Sequence, residues 1–457
     1  MATVYKKLVE KQRVFFATGV TRNVDFRIKS LKKLRLAIQT RNEQIAEALK
    51  KDFGKCEFET FATEIMGTLD EIDLAIKNLH RWTKARKVIS PLVLFKSTSR
   101  IYCEPFGSVL VISAWNYPFQ LAMIPLIGAL AAGNCCILKP SELSPHTSVL
   151  LAEIIQKCFD EAYCAVVEGG VNETTSLINE RFDFIHYTGS TRVGKVIALA
   201  AAKYLTPVVL EMGGKSPCIV DETADIELSA KRIVWGKFLN AGQTCVAPDY
   251  LLVKREVKEV LVKALVKQIK HFYGDDPIMS PDYCRIINQQ NFDRLAAYLE
   301  EGHIICGGKK DRVLLSIEPT LIDELTWDSM LMQDEIFGPV LPVMEYDDLL
   351  DVIGIINGGE RPLALYFFSK NKKDQQRIIK EVSFGGGCIN ATVLQTANMH
   401  MPFGGVGNSG MGYYHGKWSF EAFSHKKSIL NKSLLVDFPF LYPPYKDKIK
   451  LLKKFFK

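Results

Sequence analysis

The first part of the chain shows apolar residues at the spacing of amphipathic helices. Between about residues 25 and 78, positions such as Ile28, Leu31 and Leu34 recur among many lysines, arginines and glutamates, which predicts helices with one buried face. The longer apolar run 119–132 is interrupted by a proline and a glycine and falls short of the roughly 20 residues that a membrane span needs. We therefore predict a buried helix there.

Short apolar runs rich in β-branched residues follow, each succeeded by a helical pattern. This alternation is typical of a parallel sheet flanked by helices. The runs that predict strands are 108–113, 135–138, 165–168, 184–187 and 206–211, and then 217–220, 250–253 and the segment around 363–369. The predicted fold class is α/β, with two domains that meet near Glu211.

The last stretch, 439–457, interleaves lysines with apolar residues and predicts a short basic amphipathic helix. Such a helix can lie on an anionic membrane surface. We favour a solvated helix that packs one face on the body or on a second subunit. The stretch is too short for permanent membrane insertion.

The composition is that of a globular protein with two or three domains, since 47% of the 457 residues are hydrophobic and 24% are charged. The net charge of +7 is spread over 58 basic and 51 acidic residues, so nucleic-acid binding is not predicted. The N-terminus carries no pattern of a secretory signal, which predicts a cytoplasmic location.

The eleven cysteines form no Cys-x-x-Cys pair, and the chain contains no His-Glu-x-x-His. Neither a disulfide framework nor a metal site is therefore predicted. Most of the thiols, Cys135 and Cys136 among them, are expected to be small core residues.

A glycine turn with Gly189, Ser190 and Gly194 lies between the predicted strand 184–187 and a helical pattern. Backbone N–H groups at such a helix N-terminus can bind a pyrophosphate. The turn also comes close to a nucleotide-triphosphate loop, but Val196 stands where that loop needs a hydroxyl for magnesium. A dinucleotide site is therefore the preferred hypothesis over a kinase or ATPase site.

Lys139 and Glu142 follow the preceding strand and should lie at the same carboxyl edge of the sheet. An ammonium and a carboxylate at this place can bind the two hydroxyls of a ribose. Because Glu142 would repel a 2′-phosphate, the sequence favours NAD over NADP, although NADP stays possible.

Two further residues suit covalent chemistry. Glu211 ends a predicted strand just before two glycines, and Cys245 follows a flexible Gly-Gln-Thr segment. A nucleophilic thiol needs an accessible, backbone-lined position, because only the thiolate attacks and nearby N–H dipoles favour that form.

Motifs between residues 105 and 424 resemble those of the aldehyde dehydrogenase superfamily, in identity and in order. They are AWNYP (114–118), KPSE (139–142), TGSTRVGK (188–195), LEMGGK (210–215), NAGQTC (240–245), EIFGP (335–339) and MPFGGVGNSG (401–410). The segments WGKF (235–238), YHG (414–416) and FSH (423–425) resemble the class 3 branch of fatty and aromatic aldehyde dehydrogenases. Tyr187 and Met212 depart conservatively from the usual residues.

The resemblance implies a role for each matching residue. It makes Cys245 the nucleophile, Glu211 the general base and Asn116 a donor to the oxyanion. The cofactor-binding residues that it implies are Lys139, Glu142, Gly189, Ser190, Gly194, Glu335 (nicotinamide ribose) and Phe337 (nicotinamide). Tyr117, Trp235 and His415 are the expected lining of the substrate entrance, where each could equally be a core or interface residue.

The resemblance further implies oxidation of medium- to long-chain aliphatic or aromatic aldehydes to carboxylic acids with NAD or NADP, through a thioester. It implies a Rossmann-type cofactor domain (1–80 and 103–210), an α/β catalytic domain (211–400) and a bridging and oligomerisation element with the tail (81–102 and 401–457). Members of this branch are dimers, so a homodimer is expected.

Three alternatives stay open from the sequence. A related enzyme could pass the acyl group to coenzyme A or act as a reductase, which would leave Glu211 without a purpose. The chain could instead bind a cofactor without catalysis, or hydrolyse esters through Cys245 without a cofactor.

Overall fold

The computed structural model describes residues 4–446 and 448–455, so the expectations for the first three residues, Asp447 and the last two residues lie outside the described part. Its helices are α1 Val4–Ala17, α2 Val24–Gln39, α3 Asn42–Phe53, α4 Glu57–Thr60, α5 Met66–Trp82, α6 Gln120–Ala132, α7 Pro145–Cys158, α8 Val171–Ile178, α9 Thr191–Ala202, α10 Ile226–Phe238, α11 Lys258–Tyr273, α12 Gln289–Tyr298, α13 Met330–Gln333, α14 Leu349–Gly358, α15 Lys372–Glu381, α16 Gly416–Ala422 and α17 Lys448–Phe455. The amphipathic helices predicted between residues 25 and 78 are confirmed.

The strands are β1 Arg86–Val88, β2 Ser97–Pro105, β3 Ser108–Ile112, β4 Cys135–Lys139, β5 Cys164–Val166, β6 Phe184–Thr188, β7 Val208–Glu211, β8 Pro217–Val220, β9 Tyr250–Lys254, β10 His303–Cys306, β11 Lys310–Asp311, β12 Ser316–Ile317, β13 Thr320–Asp323, β14 Val340–Tyr346, β15 Ala364–Phe368, β16 Gly386–Ile389, β17 Gly410–Met411 and β18 Ser424–Lys432. All eight predicted strands are confirmed, with ends that differ by at most two residues. Among the strands that the apolar runs did not predict are β14, whose run is broken by a proline, and β16, which begins with two glycines.

The first sheet has the order β17-β7-β6-β3-β4-β5. Its strands are parallel except for the short edge strand β17. The apolar run predicted as a buried helix is α6, and its residues from Leu121 to Ala132 are all buried. The buried Arg27 ties α2 to the end of this helix, since its guanidinium donates to the Thr21 and Ala131 carbonyls at 2.6 and 3.2 Å.

The second sheet has the order β10-β13-β14-β9-β8-β15-β16 and is parallel except for β10. The chain passes from the first sheet to the second between β7 and β8, just after Glu211. Each sheet has its own buried apolar core. The structure is therefore two α/β domains, and the carboxyl ends of their strands are the edges where ligands bind in such folds.

A third, small sheet has the order β1-β2-β18 and joins residues 86–105 to the C-terminal part of the chain. β18 pairs antiparallel with β2 along the whole length of both strands, from Ser424 beside Pro105 to Lys432 beside Ser97. α5 ends at Trp82, and β1 and β2 follow it between residues 86 and 105. The helix predicted in the tail is α17.

Within residues 4–446 and 448–455, no helix has both the length and the apolar composition that crossing a membrane requires.

Candidate active site

A cavity of about 960 Å³ lies where the strand ends of the first sheet face loops of the second domain. Twelve of the thirteen residues predicted for the site line it: Asn116, Tyr117, Lys139, Glu142, Gly189, Ser190, Glu211, Trp235, Cys245, Glu335, Phe337 and His415. The lining also includes the last residues of β3, β4, β6 and β7, as the topology of an α/β sheet leads one to expect. One cavity therefore brings together the reactive groups and the expected cofactor contacts.

Cys245 is partly buried and follows a tight turn in which Asn240, Ala241 and Gly242 all have positive φ angles, of 53°, 51° and 75°. Burial raises the pKa of the Cys245 thiol to about 12, and the nearby carboxyls of Glu335 and Glu211 add to the rise. Backbone N–H groups of the loop oppose this shift, as the sequence analysis expected, but they do not overcome it. Burial outweighs the backbone N–H groups, so the neutral thiol is favoured near pH 7.

Glu211 ends β7 and is almost completely buried. Neither of its carboxyl oxygens finds a hydrogen-bond partner within the described residues. Burial raises the pKa of Glu211 well above its usual value of 4.5. A carboxyl in this state holds its proton until higher pH and is a stronger base when ionised, which suits proton transfer near neutral pH.

Glu335 is a second carboxyl of the cavity wall and is partly buried; its side chain fills the space that a Cβ on Gly213 would occupy. Burial raises its pKa to about 8. Its loop is held by Lys215, which donates to Asp249 at 2.6 Å and to the Asp334 carbonyl at 2.9 Å. The Glu335 carboxyl raises the pKa of the Cys245 thiol more than Glu211 does, which makes it a close electrostatic neighbour of the thiol.

Asn116 lies in the loop between β3 and α6 and is buried. Its Nδ2 donates to the Gln243 carbonyl at 3.1 Å, and its own carbonyl accepts from Asn240 Nδ2 at 2.9 Å. The Tyr117 hydroxyl lies 2.7 Å from Thr244 Oγ1. The Asn116 loop is thus fastened to the segment that carries Cys245.

The end of the cavity that is formed by the end of β4 and by α8 and α9 suits a dinucleotide. Lys139 is buried, and its Nζ lies 3.6 Å from the half-exposed carboxylate of Glu142. Ser190 caps α9, because its hydroxyl accepts from the Val193 N–H at 3.4 Å. Side chains of α8 and α9 border a partly apolar slot that fits a flat base: Val171, Thr174, Thr175, Ile178, Val193, Val196 and Ile197. The buried ammonium, the helix N-terminus and the slot together fit an adenosine diphosphate group.

Gly194 does not line the cavity, unlike the other predicted cofactor residues. A Cβ at this position would collide with the sulfur of Met212. The glycine therefore allows α9 to pack closely on the end of β7 and acts on the site through that packing.

The lining of the cavity around His415, where the sequence analysis expected the substrate entrance, was only partly predicted. His415 Nδ1 lies 2.9 Å from the carboxylate of Glu71, a buried residue of α5 that also accepts from the Gly416 N–H. Further lining that the sequence analysis missed is Ala62, Met66, Leu394, Ala397, Met399 and Phe403. Glu71 could have been identified from the sequence, because an acidic residue on the apolar face of an amphipathic helix is unusual. The α8 residues that border the slot have no comparable feature in the sequence that would have identified them.

Comparison with known proteins agrees with this geometry. The model of the aldehyde dehydrogenase family matches residues 5–429. The chain is 50% identical to a Staphylococcus aureus protein named 4,4'-diaponeurosporen-aldehyde dehydrogenase, over 97% of each chain, and 47% identical to a Rattus norvegicus "aldehyde dehydrogenase, dimeric NADP-preferring", over 93% of this chain and 94% of the other. A solved structure described as the substrate-bound state of Staphylococcus aureus AldH superposes with a TM-score of 0.98 at 48% identity, covering 100% of both chains.

The ionisation of Cys245 gives a first prediction. In the ligand-free protein, alkylation of Cys245 by iodoacetamide should accelerate about tenfold per pH unit from pH 7 to pH 10 without a plateau, because the pKa of the thiol lies near 12. The rate is measured by mass spectrometry of the Cys245 peptide. A plateau below pH 9 would show that the thiolate already prevails.

A matched variant separates the contribution of Glu335. Because the pKa of Glu335 is about 8, its carboxyl is neutral below that pH and negative above it. Glu335→Gln should therefore label like the unchanged protein below pH 8 and faster above it.

Proposed function

The chain belongs to the aldehyde dehydrogenase family, and from that membership we propose that it oxidises medium- to long-chain or aromatic aldehydes through a covalent thioester on Cys245. NAD(P)-dependent oxidation of aldehydes is the activity of this family. The observation that carries the proposal is that Cys245, Glu211 and Asn116 line one cavity whose remaining walls suit a dinucleotide at one end and an apolar chain at the other.

Cys245 begins the reaction by adding to the aldehyde. The thiol gives its proton to water or to the ionised carboxylate of Glu211, the sulfur forms a bond to the carbonyl carbon, and the carbonyl oxygen becomes an alkoxide. The Asn116 amide, which already donates one N–H to Gln243, directs its second N–H to this oxygen together with the backbone N–H of Cys245. One such donor is worth about 3 kcal/mol in comparable sites.

Lys139, Glu142 and the slot between α8 and α9 would hold the adenosine diphosphate part of NAD or NADP, with Glu335 and Phe337 near its nicotinamide end. When bound, the nicotinamide is the acceptor for the hydride that leaves the adduct. The protein residues orient the adduct and exclude water, and the acyl group then stays on the sulfur as a thioester.

Glu211 ends the cycle by removing a proton from water, so that the oxygen attacks the thioester carbon and the C–S bond breaks. The raised pKa of Glu211 makes its carboxylate a competent base. Since only the ionised carboxyl accepts the proton, hydrolysis should weaken as the pH falls below this raised pKa. The products are a carboxylic acid and the free thiol of Cys245.

The substrate end of the cavity supports an apolar aldehyde. Trp235, Leu394, Met399 and Phe403 contribute to its wall, and the rings and aliphatic chains among them favour apolar substrates. Each buried methylene is worth about 0.8 kcal/mol.

We therefore expect kcat/KM to rise with chain length from propanal to decanal, by up to about fourfold per methylene until the cavity is filled. The measurement follows NADH absorbance for a series of aldehydes, with NAD and with NADP. Trp235→Ala should reduce the gain for long chains and leave propanal almost unchanged. Strict dependence on coenzyme A, or a kcat/KM that does not change with chain length, would contradict the proposal.

We also propose a homodimer built on the three-stranded sheet β1-β2-β18. Leu434 and Leu435, which follow β18, are fully and largely exposed, and so are Ile89 and Leu92 beside β1. Exposed leucines and isoleucines clustered around one sheet are typical of a protein interface. The rat relative, 47% identical, is described as dimeric.

Light scattering should accordingly give twice the chain mass of 51.4 kDa. The double variant Leu434→Asp and Leu435→Asp should shift the mass toward that of one chain. Val313→Asp, at an equally exposed position next to β11, is the control and should leave the mass unchanged. A monomeric unchanged protein would contradict the proposal.

We further propose the division into a cofactor domain (1–80 and 103–210), a catalytic domain (211–400) and a bridging and tail element (81–102 and 401–457).

We also propose a cytoplasmic location. All eleven cysteines are unpaired, which is typical of proteins in a reducing compartment and supports this location.

A further inference from the structure

A buried group of charges lies behind the cavity without lining it. Lys55 Nζ contacts Glu64 Oε1 at 2.8 Å, and neither side chain has any exposed surface. Glu59, also buried, is a second carboxyl that faces Lys55. None of the three belongs to the cavity wall. The mechanism proposed above uses none of them, and charged side chains are rarely buried completely unless they are paired, as these are.

Glu64 connects this group to the start of α6. Its Oε2 accepts from the backbone N–H groups of Phe119 and Gln120 at 3.1 and 3.0 Å. Glu64 itself lies in a π-helical turn, Phe61–Ile65, of the kind that often occurs at functional sites. The segment just after Asn116 is thereby fixed from behind by a charged acceptor.

Lys55 connects the group to the loop of the nucleophile. Its Nζ lies 4.4 Å from the centre of the Tyr117 ring, within the range of a cation–π contact. The hydroxyl of that ring lies 2.7 Å from Thr244 Oγ1, and Thr244 precedes Cys245. A single side chain, Tyr117, therefore links the buried cation to the cysteine loop.

The loop itself needs outside support. Asn240 and Ala241 have left-handed backbone angles that non-glycine residues adopt only at a cost. The backbone N–H of Asn240 faces the Glu59 carboxyl, and Gln243 donates to the Arg285 carbonyl at 2.9 Å. Contacts from several directions thus hold the turn that presents Cys245.

We propose that Lys55 and Glu64 are positioning residues, which set the Asn116 amide and the Cys245 sulfur in register for attack on the aldehyde. This inference rests on the proposed function of Cys245 and Asn116. The two residues contact neither substrate nor cofactor, so their loss should slow the chemical step and leave cofactor binding intact.

Lys55→Met should lower the rate of the first turnover at saturating aldehyde by at least about tenfold, since a misplacement of the order of 1 Å can cost about a hundredfold. The Kd for NAD, measured by fluorescence, should stay within about twofold. The double variant Lys55→Met and Glu64→Gln removes the charge that Lys55→Met leaves unpaired on Glu64, while Glu59 is unchanged. It should recover thermal stability without recovering the rate.

Arg27→Met is the matched control, because Arg27 is another buried cation of the same domain and lies outside the cavity wall. It should lower Tm and keep the first-turnover rate. If Lys55→Met does not fold, Glu64→Gln serves in its place: it is isosteric, Glu59 still faces the lysine, and the rate should fall about fivefold.

First-turnover rates within twofold of the unchanged protein, in folded variants of Lys55 or Glu64, would overturn the inference. Failure of the proposed function has a different signature, since the unchanged protein would then show no first turnover of aldehyde with NAD.

Discussion

The site depends on one constraint: Glu211 is buried without a neutralising partner among the described residues, and Cys245, in the same cavity, is partly buried. The thiol and the carboxyl line the same cavity, and burial raises the pKa of both. Both groups are therefore held uncharged before the reaction, and charge develops only as bonds form. Among groups with so little exposure to solvent, a fixed amide like that of Asn116 is worth more than it would be in water.

Such a site works only if its donors are already in place, and the fold supplies this rigidity from two sides. Glu211 stands at the end of a strand of the first sheet, whereas the Cys245 and Glu335 loops belong to the second domain. Lys215 and Asp249 hold the Glu335 loop, and the Asn116 loop is bonded directly to the Cys245 segment. The reacting groups thus meet across a domain boundary and owe their alignment to contacts that cross it.

The sequence is most informative where local pattern decides the structure. Apolar runs between turns predicted eight strands correctly, and motifs beside strand ends identified twelve residues that line one cavity. Contacts between distant segments escaped that reasoning: Gly194 packs on Met212, and Glu71 reaches His415 across 344 positions. The sequence indicated the backbone N–H groups that favour the thiolate of Cys245. It did not indicate the burial and the approach of Glu335 that oppose them, because these depend on how the chain folds back on itself.

The most direct test of the central claim is to measure the mass of the protein by mass spectrometry during turnover when hydrolysis is blocked. Glu211→Gln would be mixed with NAD and an aldehyde that the unchanged protein oxidises, quenched in acid, and analysed intact and after digestion. We expect the mass of one acyl group to be added per chain, located on the Cys245 peptide. NADH formation without any adduct, or an adduct on another residue, would contradict the mechanism.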